Sequence, residues 1–134
     1  MAVIDEAKLV AEAYEAQKYA YAPYSHFTVG AALLGKSGRI YRGCNVENAA
    51  YSPSNCGERT AFFKAVSEGE REFLAIAIVG NSSGKQGDYC PPCGVCRQVM
   101  AEFCGKDFKI LLGRSFTDWR SFTLGELLPE SFSL

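Results

Sequence analysis

Apolar residues recur along this chain with two periods, and the switch between them outlines the fold. From Asp5 to about Tyr19, Ala7, Val10 and Tyr14 fall at three- and four-residue spacing behind an aspartate suited to capping, which predicts a helix. Pro23 then breaks the chain. Phe27 to Leu34 is rich in apolar and β-branched residues. Gly35 to Gly38 reads as a turn and Arg39 to Cys44 as the returning strand, so a hairpin is expected. The polar stretch Asn45 to Asn55, interrupted by Pro53, should be an irregular loop.

The helical period returns from Cys56 to Ser67, carrying Ala61, Phe62, Ala65 and Val66. Phe73 to Val79 is a nearly continuous apolar run, as a buried strand requires, and Asn81 to Tyr89 is a Gly/Ser loop. Pro91 and Pro92 precede a predicted helix from Cys93 to Phe103, and Phe108 to Leu112 is a second buried strand. The remainder is ambiguous, with a last strand near Trp119 to Phe122 and a short helix from Leu124 to Leu128, ended by Pro129. Strands separated by helices imply an α/β chain with right-handed crossovers and a sheet covered on both faces. No repeat, linker or low-complexity segment interrupts the pattern, so residues 1–134 are expected to form one domain.

Composition narrows the function more than the fold. With 48% hydrophobic residues, global disorder is excluded. The net charge of −1 argues against phosphate-driven binding to long nucleic acid. The opening residues are neither a signal nor a transit peptide, and no apolar run approaches the ~20 residues that span a bilayer, so a cytoplasmic setting without membrane contact is expected. The six cysteines, Cys44, Cys56, Cys90, Cys93, Cys96 and Cys104, then favour metal binding over a disulfide framework.

Two motifs carry the chemistry: Cys56-Gly-Glu58, and Pro91-Pro92-Cys93-Gly-Val-Cys96. In the first turn of a helix, Cys93 and Cys96 would present both sulfurs on one face. Cys56, opening its own helix, would supply a third, and helix N-termini favour the thiolate that zinc binds. Three protein ligands leave the fourth tetrahedral position open, as in a catalytic zinc site. Glu58, two residues after the first ligand, can stand beside that position without binding the metal and carry protons. Arg59, three residues from Cys56, is placed to donate to the thiolates and offset the −1 charge of a zinc held by three sulfurs. Cys90-Pro-Pro-Cys93 is a second Cys-x-x-Cys pair, and by spacing alone a redox dithiol or a closed four-sulfur site stays open. Neither explains Glu58.

With these residues in view, the chain resembles the small homotetrameric zinc-dependent cytidine deaminases of nucleoside salvage from about Tyr19 to Phe132. The likeness runs through Tyr24-Ser-His-Phe-Thr-Val-Gly-Ala-Ala-Leu33, Gly43-Cys-Asn-Val-Glu-Asn-Ala-Ala-Tyr51, Cys56-Gly-Glu-Arg-Thr-Ala61, Pro92-Cys-Gly-Val-Cys-Arg-Gln98 and Leu127-Leu-Pro129. The resemblance implies a three-layer α/β/α fold around a mixed sheet of about five strands, and one Zn²⁺ per subunit. The implied reaction is hydrolytic deamination of cytidine and 2′-deoxycytidine by zinc-bound hydroxide, with Glu58 shuttling protons. It also implies that Asn45 and Glu47 hold the ribose 3′-hydroxyl, that Phe27 lies against the pyrimidine, and that the Gly57 N–H contacts substrate. Tyr51 and Phe132 match aromatics that complete a neighbouring subunit's site. Three departures stand out: Gly57 where alanine is usual, Cys90 as an added thiol near the metal loop, and a tail that ends two residues after Phe132. His26, the only histidine, is expected on a solvent-facing strand position.

Overall fold

The structure is a computed structural model that describes residues 3–82 and 87–134. Helix α1 (Glu6–Gln17) is capped by Asp5, whose carboxylate accepts the Lys8 N–H at 3.1 Å. Strands β1 (Phe27–Gly35) and β2 (Ile40–Cys44) form the expected antiparallel hairpin. Helix α2 (Gly57–Ser67), strand β3 (Phe73–Ser82), helix α3 (Gly94–Phe103), strands β4 (Lys109–Ser115) and β5 (Asp118–Thr123) and the short helix α4 (Leu124–Leu127) follow. Among the described residues the strands make one sheet of five in the order β2-β1-β3-β4-β5. The sheet is mixed: β3 and β4 are parallel, and the other neighbours are antiparallel.

This order explains which face each helix takes. The β2-α2-β3 connection steps over β1, and the β3-α3-β4 connection steps onward in the same direction. Crossovers of one hand that advance in one direction place their helices on one face. Accordingly α2 and α3 pack Ala61, Phe62, Ala65, Cys96 and Met100 against Leu33, Ile76, Ile78, Ile110 and Leu112. Helix α1 covers the opposite face, with Leu9, Val10 and Ala13 on Ala32, Ala75, Ala77, Val79 and Leu111. The result is the expected three-layer α/β/α fold. Alternate strand residues feed opposite layers, as the two-residue strand period demands. The α1 face is lined by small residues, so this helix sits close: a Cβ on Gly30 would lie 2.0 Å from the Ala13 carbonyl oxygen.

Several boundaries differ from the sequence reading. The buried stripe of α1 is Leu9, Val10, Ala13 and Ala16, whereas Ala7 is exposed; the helix ends at Gln17, short of Tyr19. Strand β3 runs on to Ser82, taking in Asn81 and Ser82 from the expected Gly/Ser loop; residues 83–86 of that loop lie outside the described residues. The ambiguous stretch before Trp119 is the end of β4 and a tight turn into β5. The 45–55 loop is tied down, because Val46 bridges both Tyr21 and Asn55. His26 is exposed, as expected, yet it precedes β1 with a left-handed φ of 58° instead of lying in the strand.

Candidate active site

Both crossover helices begin at the same edge of the sheet, where ligand sites of α/β folds gather. Cys56 is the residue before α2 and Cys93 the residue before α3; both are extended N-caps, not first-turn residues as expected, and Cys96 occupies the first turn of α3. Their sulfurs converge. Cys56 and Cys93 lie 3.7 Å apart, Cys93 and Cys96 3.4 Å, and all three within 4.8 Å of one another. A tetrahedral zinc with bonds of about 2.3 Å requires sulfurs about 3.8 Å apart, so this trio fits three corners of such a site. Among the described residues this cluster holds three ligand atoms and Cys90 stands outside it, so the closed four-sulfur arrangement is not assembled.

The electrostatics favour thiolate. The Cys56 thiol is pushed down to about 5, first by the neighbouring Cys96 thiol and then by Arg59, against the opposing effect of burial. Cys96 is pushed up by the same contact and by burial, so the metal-free trio keeps protons that metal uptake releases. Arg59 Nη2 donates to Cys56 Sγ at 3.2 Å, while its buried Nε has no hydrogen-bond partner among the described residues. Replacing Arg59 with alanine removes that donor and its positive charge. Arg59→Ala is expected to release zinc to a chelator about tenfold faster, since hydrogen bonds to charged groups are worth about 1.5–3 kcal/mol. Zinc retention equal to the parent's would refute this support role.

Glu58 is the one buried charged residue among the described residues, 4% exposed in the first turn of α2. Burial raises its carboxyl to about 7, and the nearby Cys56 charge pushes it the same way. A carboxyl poised near neutrality suits proton transfer in both directions. It lines a cavity of about 300 Å³ together with Cys56, Cys93, Cys90, Arg59 and Pro91. Val29, Asn45, Glu47, Ser54 and Asn55 complete the lining. Of these, Val29, Ser54 and Asn55 carried no sequence signal, being an ordinary strand residue and two loop residues brought in by the fold.

The remaining candidates are placed unevenly. Asn45 ties the site to β1: its Oδ1 accepts the Val29 N–H at 2.8 Å and its Nδ2 donates to the Phe27 carbonyl at 2.9 Å. Glu47 accepts the Tyr24 and Ser25 N–H groups at 3.0 and 3.1 Å on one oxygen and the Ser25 hydroxyl on the other. These bonds, the Ser25 hydroxyl foremost, hold its carboxyl below the usual range. Gly57 is buried beside Val29 and Cys44. Phe27 stands outside the cavity lining, its ring edge beside Gly80 near the Cys90 sulfur. Tyr51, with φ of 61°, lines an adjoining cavity that shares Glu47 and Ser54. Phe132 is not brought to the site within this chain; it lies in the tail near Cys104 and Leu124.

The chain is similar to known proteins over nearly its whole length. A family model for the cytidine and deoxycytidylate deaminase zinc-binding region matches residues 4–112. A cytidine deaminase of Sporosarcina psychrophila is 52% identical over 130 residues, covering 97% of this chain and 93% of that protein. The crystal structure of cytidine deaminase from Burkholderia pseudomallei matches with a TM-score of 0.86 at 44% identity, over 97% of this chain and 100% of that one. That from Mycobacterium tuberculosis matches with a TM-score of 0.83 at 39% identity, over 98% of this chain and 100% of that one. With the family model, the sequence identity and the fold in agreement, the chain belongs to the cytidine and deoxycytidylate deaminase family.

Proposed function

We propose that this chain is a single catalytic domain that deaminates free cytidine and 2′-deoxycytidine, giving uridine or deoxyuridine and ammonia, in cytoplasmic nucleoside salvage. The observation that carries the reading is a buried carboxyl, Glu58, in one cavity with two of three convergent sulfurs and with Asn45 and Glu47. Zinc held by Cys56, Cys93 and Cys96 supplies the Lewis acidity that makes water nucleophilic at neutral pH.

The rest falls to the protein's own groups. Glu58 takes a proton from the attacking water and delivers it to pyrimidine N3, which makes C4 electrophilic. It then carries the remaining proton of the hydroxyl added at C4 to the amino group, so that the C4 carbonyl forms, the C4–N bond breaks and ammonia leaves. Glu47 is held as a carboxylate by three donors, and with about four lone-pair sites it keeps one for a ribose hydroxyl. Asn45 spends one donor and one acceptor on β1 and keeps one of each. Its double tether fixes the amide, so the sugar meets a rigid group. Phe27 offers a ring to the flat base, a contact worth ~1–3 kcal/mol in comparable stacking.

Tyr51 and Phe132 are 75% and 70% exposed. A homotetramer in which they complete neighbouring sites accounts for both. Among the described residues no helix is long and apolar enough to cross a membrane. Purified protein should contain one zinc per chain and release ammonia from cytidine and deoxycytidine, with far slower release from CMP or a cytosine oligonucleotide. Full zinc occupancy without ammonia from either nucleoside would overturn this reading in favour of a structural zinc module. Faster turnover of the oligonucleotide would move the substrate class.

A further inference from the structure

Two of the zinc ligands are carried by well-packed elements. Cys96 is 1% exposed on α3, and Cys56 is half-buried where α2 begins. Cys93 differs: it is exposed and ends a segment without regular structure, Gly87 to Cys93. Such a segment opens at lower cost than the core elements around it. What holds it down therefore decides how easily this ligand leaves the metal.

The segment is fastened beside the ligand, where Pro92 is fully buried and its carbonyl accepts Arg97 Nε at 2.8 Å, and a second time at a place remote from the chemistry. The Tyr89 hydroxyl donates to Asp118 Oδ1 at 2.9 Å. The same carboxylate accepts Arg114 Nε at 2.7 Å, joining the two ends of the β4–β5 turn. The Arg114 and Arg120 guanidinium carbons lie 5.2 and 4.4 Å from the centre of the Tyr89 ring. One tyrosine thus gathers three charged side chains of β4 and β5. Just before it, Gly87 passes so close to β3 that a Cβ there would lie 2.3 Å from the Gly80 carbonyl oxygen. Just after it, the Cys90 sulfur rests over Gly80.

We propose that Tyr89 is a positioning residue for the zinc site: its clasp on the β4–β5 hairpin keeps the Gly87–Cys93 segment closed and so sets how long the metal is retained. The inference rests on the zinc-site reading above and adds a residue that makes no contact with metal or substrate. Loss of zinc from three thiolates proceeds ligand by ligand, and the exposed, loop-borne Cys93 is the one freed first. A hydrogen bond to a carboxylate and two cation–π contacts oppose that opening.

The test is zinc transfer from the fully loaded protein to a chromogenic chelator, with no nucleoside present. Tyr89→Phe keeps the ring and loses the hydroxyl, and should release zinc about three- to tenfold faster. Tyr89→Ala also loses the cation–π contacts and should release it faster still. Tyr41→Phe is the matched control. Tyr41 donates to Glu70 at 3.2 Å with the Arg39 guanidinium carbon 5.2 Å from its ring centre, the same chemistry on β2 at the other edge of the sheet. It should leave zinc release unchanged. With zinc in excess, Tyr89→Phe should keep kcat and KM near the parent's, because the closed site is unaltered once filled.

Release at the parent rate from Tyr89→Phe, or equal acceleration by Tyr41→Phe, overturns the proposal. Should Tyr89→Ala not fold, Tyr89→Phe decides alone. Ammonia release is scored separately. A faster zinc loss in a protein inactive on nucleosides would sink the substrate reading and leave the clasp standing; the converse result would sink only the clasp.

Discussion

Glu58→Gln is expected to fold, to bind zinc like the parent, and to lose about two to four orders of magnitude in turnover, the range general acid–base groups supply. Glutamine has nearly the same shape and remains neutral, so the 4%-exposed position is filled without a cavity. It also removes a carboxyl whose ionised form burial disfavours, so the metal-free protein should melt no lower than the parent. What it cannot do is take a proton from water and return it to the ring. Affinity for the nucleoside should change much less than kcat, since the sugar is proposed to be held by other side chains, Asn45 and Glu47. Single-turnover kinetics alongside zinc content would check this. A glutamine variant with a near-normal rate and full zinc would remove Glu58 from the chemistry.

Part of the sulfur cluster was legible in the sequence because the requirement is local: spacing i, i+3 brings Cys93 and Cys96 together whatever the rest of the chain does. Joining Cys56 to them is not local. It depends on both crossovers starting at one edge of the sheet, which follows from strand order and which no short window reveals. The same holds for the rest of the cavity lining. Val29 enters the site because the side chain of Asn45 bonds its N–H, and Asn55 because it bridges Val46. Boundaries failed where pairing is indifferent to side chains: Gly80, Asn81 and Ser82 extend β3 by pairing with Val29, Thr28 and Phe27 through backbone alone. Likewise Arg114 to Asp118 is polar apart from the exposed Phe116, yet Ser115 pairs with Asp118 to close the last hairpin. In α1 the small alanines blurred the helical phase, since Ala7 and Ala13 look alike until the sheet selects one of them.

Gly43→Ala should damage both stability and catalysis, and comparison with Gly30→Ala should separate the two. A Cβ on Gly43 would lie 2.3 Å from the Gly57 carbonyl oxygen and 2.4 Å from the Ala61 nitrogen. Both are backbone atoms of α2, so no rotamer change relieves the clash and the helix must retreat from β2 by about 1 Å. Its first turn bears Glu58 and follows Cys56 directly, so the retreat moves the proton carrier and one sulfur together. Overpacking of this kind costs about 1–3 kcal/mol, which lowers Tm by roughly 5–15 °C in a chain of this size. A misplacement near 1 Å costs about 10²-fold in rate. At Gly30 the collision is at least as severe, with the Ala13 carbonyl oxygen at 2.0 Å, but it displaces α1 on the face away from the site. Gly30→Ala should therefore melt early while each folded, zinc-loaded molecule keeps most of its activity. Gly43→Ala should lose activity per folded molecule as well. Equal specific activities in the two variants would mean that the seating of α2 on β2 does not set the geometry of the reaction.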